Sequence, residues 1–100
     1  MTKHPKKLLV IVAEAAIEKA LVQLVMDNGA HGYTVYDVRG AGAAGAREGA
    51  WEADRTIEMK VICSAEVADR IAQGVLAAYG DDYGVSLFFV DVSVLRDGKY

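Results

Sequence analysis

Eleven consecutive residues, Gly40 to Ala50, contain only glycine, alanine, one arginine and one glutamate. None offers a large apolar side chain to anchor the segment in a core. Any fold for this chain must place 40–50 outside its packed layers and build its core from the two flanks. Just before it, Tyr33, Thr34, Val35, Tyr36 and Val38 have the β-branched and aromatic character of a strand, which stops at Arg39. A stretch of this length with little to bury is either a functional loop or a disordered one. Glycine at 40 and 42 lets backbone amides converge on an anion, and Arg47 adds a permanent charge with a forked donor. On composition alone, a mobile surface hairpin tip remains the equal alternative.

Gly40-Ala-Gly42-Ala-Ala-Gly45 also spells the dinucleotide fingerprint GxGxxG. That motif needs a helix immediately after it, and Gly45 and Gly49 would both lie inside that helix. Each costs about 1 kcal/mol relative to alanine. Beginning at residue 40 of 100, it also leaves no room for a dinucleotide-binding fold, so it reads as a decoy.

The flanks switch period twice. Lys7 to Ala13 (KLLVIVA) is a nearly continuous apolar run, as in a central strand covered on both faces. From Glu14 to Asn28 the period is helical, with Ile17, Leu21, Leu24 and Val25 on one face and Gly29 as the stop. Thr56 to Cys63 alternates, putting Ile57, Met59, Val61 and Cys63 towards the core. Thr56, Glu58 and Lys60 are left on a face that is wet or in an interface. Ser64 caps a second helix lined by Val67, Ile71, Val75 and Ala78 and ended by Gly80. Val85 to Leu95 is a last strand with Phe88, Val90, Val92 and Val94 on one face. The order βαββαβ predicts an α+β, ferredoxin-like domain over 1–100, with both helices on one face of an antiparallel sheet. The other face is mixed in character, and packing it around a threefold axis would bury it.

Composition narrows the function. A formal net charge of −3 argues against nucleic acid as a partner. No apolar run is long enough for a membrane helix, since Glu14 and Glu18 interrupt the richest one. Met1 to Lys7 leads straight into a strand rather than into a signal sequence, and the lone Cys63 fits a reducing cytoplasm. No catalytic constellation assembles, so the chain is not expected to be an enzyme. His4 and His31 lack the spaced ligands of a metal site. A Ser64, His31 and Asp37 set is of a kind any chain this long offers. Asp81 and Asp82 read as a solvated turn before a cation or subunit contact, and Trp51 as a hinge anchor or a base-stacking ring.

In the order KLLVIV, NGAHGYTV, Arg39-Gly40-Ala41-Gly42, the alternating third strand and YGDDYGVSLFFVDVSVL, the chain resembles the PII signalling superfamily along nearly its whole length. NGAHGYTV, Arg47 and the DDY turn look most like the PII-like branch tied to bicarbonate uptake and carboxysomes. The resemblance implies a homotrimer with adenine nucleotides in the clefts between subunits, and a T-loop, here about 39–52, that responds to ligand. It puts Thr34 and main-chain groups of Ile62 on the base, amides of Gly40 and Gly42 near the phosphates, Arg47 on the phosphates, and Arg96, which matches a C-terminal arginine of the nitrogen-signalling branch, among the nucleotide contacts.

Nitrogen-signalling relatives carry a Gln after the second loop glycine, where Ala43 and Ala44 stand here. They also carry a modifiable loop Tyr and a Gly-Asp-Gly-Lys loop, both missing. The departures point away from 2-oxoglutarate sensing and towards ADP or AMP, with bicarbonate on Arg47 and no prosthetic group. The cysteine-flanked extension of some bicarbonate-transporter regulators is missing after Tyr100, which favours the carboxysome-associated variety. The implied role is regulation of inorganic-carbon uptake through a membrane bicarbonate transporter or another carbon-concentrating component. The alternative is a CutA-type ferredoxin-like trimer for divalent-metal tolerance, which the poverty in His and Cys opposes.

Arg47 is the only cation between Gly40 and Glu52. A charge-assisted contact from it contributes roughly 1.5–3 kcal/mol. Arg47→Ala is therefore expected to weaken ADP or AMP binding by about ten- to a hundredfold, read by titration calorimetry, while adenosine binds both proteins alike.

Overall fold

The fold is built outwards from one strand. In the computed structural model, which describes residues 1–42, 45–47, 55–81 and 84–100 (backbone alone at 41–42 and 45–47), β1 runs from His4 to Glu14. It hydrogen-bonds on both edges. A short 3-10 turn, Ala15–Ile17, leads into α1 (Glu18–Asp27). Then come β2 (Thr34–Val38), the short β3 (Gly40–Gly42) and β4 (Gly45–Arg47), and β5 (Thr56–Cys63). Helix α2 (Ala65–Tyr79), β6 (Ser86–Val94) and a terminal 3-10 turn (Asp97–Lys99) complete the chain. The main sheet has the order β2-β5-β1-β6 with every pair antiparallel. Both helices pack on one face, so the βαββαβ reading holds.

Period-two alternation sorts the two faces. Leu9, Ile11 and Ala13 of β1 and Ile57, Met59, Val61 and Cys63 of β5 point at the helices and are buried. They meet Ile17, Leu21 and Val25 from the first helical segment and Ala68, Ile71 and Val75 from α2. Burying one such aliphatic side chain fully contributes about 1.5–3 kcal/mol. On α2 the buried stripe runs through Ala68, Ile71, Ala72 and Val75, so the expected line is shifted. Ala68 and Ala72 bring the helix backbone close to the sheet, whereas Ala78 is exposed and Val67 half-buried. Ser64 caps α2 by accepting from the Val67 N–H at 3.2 Å. Gly29, at φ +103°, takes the left-handed conformation that ends α1. The Asn28 carbonyl just before it accepts from the Arg70 guanidinium at 3.0 Å, which ties the two helices together.

The helix-free face is formed by the other residue set: Leu8, Val10 and Val12 of β1, Phe88, Val90 and Val92 of β6, and Thr34, Tyr36, Glu58, Lys60 and Ile62. Phe88 and Val90 are exposed. Thr56 departs from the wet-face expectation: it is buried, and its Oγ1 has no hydrogen-bond partner among the described residues.

The glycine-rich segment contributes a ladder in which Gly40 opposes Arg47 and Gly42 opposes Gly45. Backbone pairing of this kind needs no large side chain. An Asp37–Arg55 ion pair of 2.7 Å joins the two ends of the intervening chain. The expectations for Trp51, for Asp82 and for the loop at 43–44 and 48–54 lie outside the described residues.

Cys63 is 1% exposed, and burial pushes its thiol up from an ordinary 9.0, opposed by the nearby Lys6 charge. The folded state thus favours the neutral thiol. Its contribution is complete below the pH at which an unfolded thiol titrates and is lost as pH rises beyond it. Urea unfolding is expected to show a steeper loss of stability between about pH 8 and pH 10 in wild type than in Cys63→Ala. Alkylation of the folded protein should run roughly a hundredfold slower than that of the unfolded chain.

Candidate functional site

The register between β2, β5 and β1 assembles one small patch on the helix-free face. Thr34 lies opposite Lys60, and Leu8 opposite Ile62. Because Lys60 and Ile62 are two residues apart on β5, both point outwards beside Thr34. After β6 the chain turns back over this end of the sheet and is tethered twice. Lys6 pairs with Asp97 at 3.1 Å, and the His31 Nδ1–H donates to the Lys99 carbonyl at 3.1 Å. That carbonyl can only accept, so the proton sits on Nδ1. The Lys6 hydrogen bond and charge, with the charge of His4, hold the Asp97 carboxyl below its usual range.

Sheet floor and C-terminal wall enclose a cleft of about 540 Å³, within the size range of small-molecule sites. Its lining combines apolar Leu8 and Ile62 with Thr34, Tyr36, Lys60 and Lys99, and Tyr33 and Tyr100 add ring surface. The Tyr36 hydroxyl donates to the Glu58 carboxylate. The Lys60 ammonium stands 5.3 Å from the centroid of the Tyr36 ring, and the Lys99 ammonium 5.9 Å from that of Tyr100. An apolar floor, flat aromatic faces and ammonium groups suit a ligand with one planar part and one anionic part. A second groove, beside Lys6, Lys7 and Asp91, has its Lys7 charge paired with Asp91.

Two of the sequence candidates, Thr34 and Ile62, line this cleft. Gly40 and Arg96 are not among the described residues that line it. Gly40 lies in β3 with open space around its α-carbon, and Gly42 opposes Gly45 in the short ladder. The Arg47 backbone pairs with Gly40, and its side chain is outside the description. Arg96 is exposed, and its carbonyl accepts from the Lys99 N–H at 3.2 Å.

Sequence reasoning misses Lys60, Lys99, His31 and Tyr100. Lys60 has a signal, two residues from Ile62 on an alternating strand. Lys99 and Tyr100 have none, because only the return of the C-terminal turn brings them there. Among the described residues no group of three potential metal ligands occurs, and no helix is long and apolar enough to cross a membrane.

The model of the nitrogen regulatory protein P-II family matches residues 6–99. A protein from Thermus thermophilus described as a PII-like signalling protein is 42% identical, with a TM-score of 0.86 and coverage of 100% of this chain and 99% of that one. CPII from Thiomonas intermedia K12, a nitrogen regulatory PII-like protein solved with ADP, AMP and bicarbonate, is 25% identical. Its TM-score is 0.88, with 98% of this chain and 95% of that chain covered. A second CPII structure, with ADP and bicarbonate, gives 25% and 0.87 over 98% and 96%. These likenesses span the sheet, both helices and the C-terminal turn that walls the cleft. The chain therefore belongs to the nitrogen regulatory protein P-II family of signalling proteins.

Proposed function

We propose that this chain is a non-enzymatic, trimeric PII-like sensor that binds ADP or AMP in the cleft and reports inorganic-carbon status. The observation that carries the reading is the meeting of Thr34 and Ile62 in one cleft beneath the C-terminal turn. The register of the sheet produces it, independently of the resemblance that points to both residues. Thr34 meets the base and Ile62 offers main-chain groups to its edge. Gly40, Gly42, Arg47 and Arg96 approach the phosphates once the loop at 39–52 closes on the ligand. The ADP, AMP and bicarbonate of the CPII structures support the choice of ligands, with bicarbonate on Arg47.

The trimer is supported by the helix-free face. Phe88 and Val90 stand exposed there beside Leu8, Val10 and Val92, and packing copies of the chain around an axis removes that surface from water. A ligand-ordered loop then signals to a membrane bicarbonate transporter or another carbon-concentrating component from the cytoplasm. Family membership leaves the CutA-type alternative without support.

The test is titration calorimetry with AMP, ADP, ATP and adenosine, with and without bicarbonate, on protein sized by light scattering. Expected are a particle of about three times 10.7 kDa, saturable ADP or AMP binding, and tighter nucleotide binding in bicarbonate. A monomer that takes up no nucleotide overturns the reading. Nucleotide binding indifferent to bicarbonate removes its carbon-sensing half.

A further inference from the structure

The cleft contains two cations that the family resemblance leaves unassigned. We propose that Lys60, on the sheet floor, and Lys99, on the C-terminal wall, together hold the phosphate groups of the ligand. This rests on reading the cleft as a nucleotide site. The observation behind it is how charge is distributed among the described residues. Lys6 is engaged by Asp97, Lys7 by Asp91 and Arg55 by Asp37. Lys60 and Lys99 have no carboxylate partner among the described residues.

The acids nearest to them in sequence are otherwise occupied. Glu58, next to Lys60 on the same strand face, accepts from the Tyr36 hydroxyl, and Asp97, two residues before Lys99, belongs to Lys6. Each ammonium instead stands over a tyrosine ring that also lines the cleft. A cation held only by a ring face is held weakly, and phosphate oxygens offer it stronger, charge-assisted hydrogen bonds. In a chain of net charge −3, two such lysines in one cleft are a local reversal of sign.

The two lysines arrive by separate routes. β5 fixes Lys60 opposite Thr34, while the His31 bond to the Lys99 carbonyl fixes the backbone that carries Lys99. Neither side chain is part of the core, so each can be changed without unfolding the protein. Thr34, Lys60 and Lys99 line the same cleft, so one ligand seated there meets both ammonium groups and the base-binding threonine.

The experiment compares wild type with Lys60→Gln, Lys99→Gln, the double glutamine variant and a double Lys→Arg variant. ADP, adenosine and inorganic pyrophosphate are titrated into each. Each glutamine substitution is expected to weaken ADP about tenfold, the typical effect of a single charge-assisted contact, and the double arginine variant to recover most of the loss. Adenosine should bind all five proteins alike, and pyrophosphate should raise the melting midpoint of wild type and leave the double glutamine variant unmoved.

Undiminished ADP affinity in the double glutamine variant overturns the proposal and leaves the nucleotide reading standing. An equal loss for adenosine also overturns it, since the effect would then be structural. A wild type that ignores ADP and adenosine but responds to pyrophosphate through these lysines refutes the nucleotide reading while the anion site stands. No response to any of the three removes both.

Discussion

The double-sided pairing of β1 is the constraint on which the rest depends. A strand hydrogen-bonded on both edges and covered on one face by two helices needs apolar residues at almost every position, and KLLVIVA supplies them. Because β5 and β6 both take their register from β1, a slip of one residue in either pairing would exchange its two faces. In β5 it would send Lys60 and Ile62 towards α1 and α2 and bring Met59 and Val61 out to the helix-free face. The core and the cleft are therefore set by one choice of register. Placing Leu9 against Phe89 and Val61 in the hydrogen-bonded ladder also places Leu8 against Ile62.

That coupling explains which parts are legible in the sequence. The limits of β5 are legible, since eight residues in alternation admit one buried set and one open set. The end of α1 is legible because Gly29 follows a helical run, and its left-handed φ matches that reading. The buried stripe of α2 is less so. Ala68 and Ala72 have little hydrophobicity to mark a face, and their burial follows from how closely the helix approaches the sheet. Thr34 and Ile62 are reached through resemblance, and the register gives them a common location. His31, Lys99 and Tyr100 are out of reach because a contact across 68 residues, His31 to the Lys99 carbonyl, leaves no periodic trace.

The exposed aromatic and aliphatic residues on the helix-free face follow from the same two-layer design. A sheet with helices on one side alone has a second face to dispose of, and a polar face would have sufficed for a monomer. Phe88, Val90 and Val92 instead continue the apolar character of Leu8 and Val10 across the β1–β6 pair. Towards β2 the face becomes polar, through Glu58, Lys60 and Tyr36. One side of the open face is thus suited to burial against protein and the other to a polar ligand, and the cleft lies where they meet, with Leu8 and Ile62 at its floor.

This arrangement also accounts for how an acidic protein can offer an anion a site. Mean charge acts at long range and is screened within about 10 Å at roughly 0.1 M salt, so a net charge of −3 does little inside a half-enclosed cleft. What counts there is which nearby charges are already matched. Lys6, Lys7 and Arg55 are tied to acids, and those pairs present almost no field at a distance. Glu58, the carboxylate best placed to cancel Lys60, is held by the Tyr36 hydroxyl, and the ring of the same tyrosine stands beside the lysine ammonium. The hydroxyl leaves Glu58 its negative charge but engages one of its oxygens, and the Lys60 ammonium, with no ion pair to it, keeps its donors for a ligand. The electrostatic character of the cleft follows from this local division of partners.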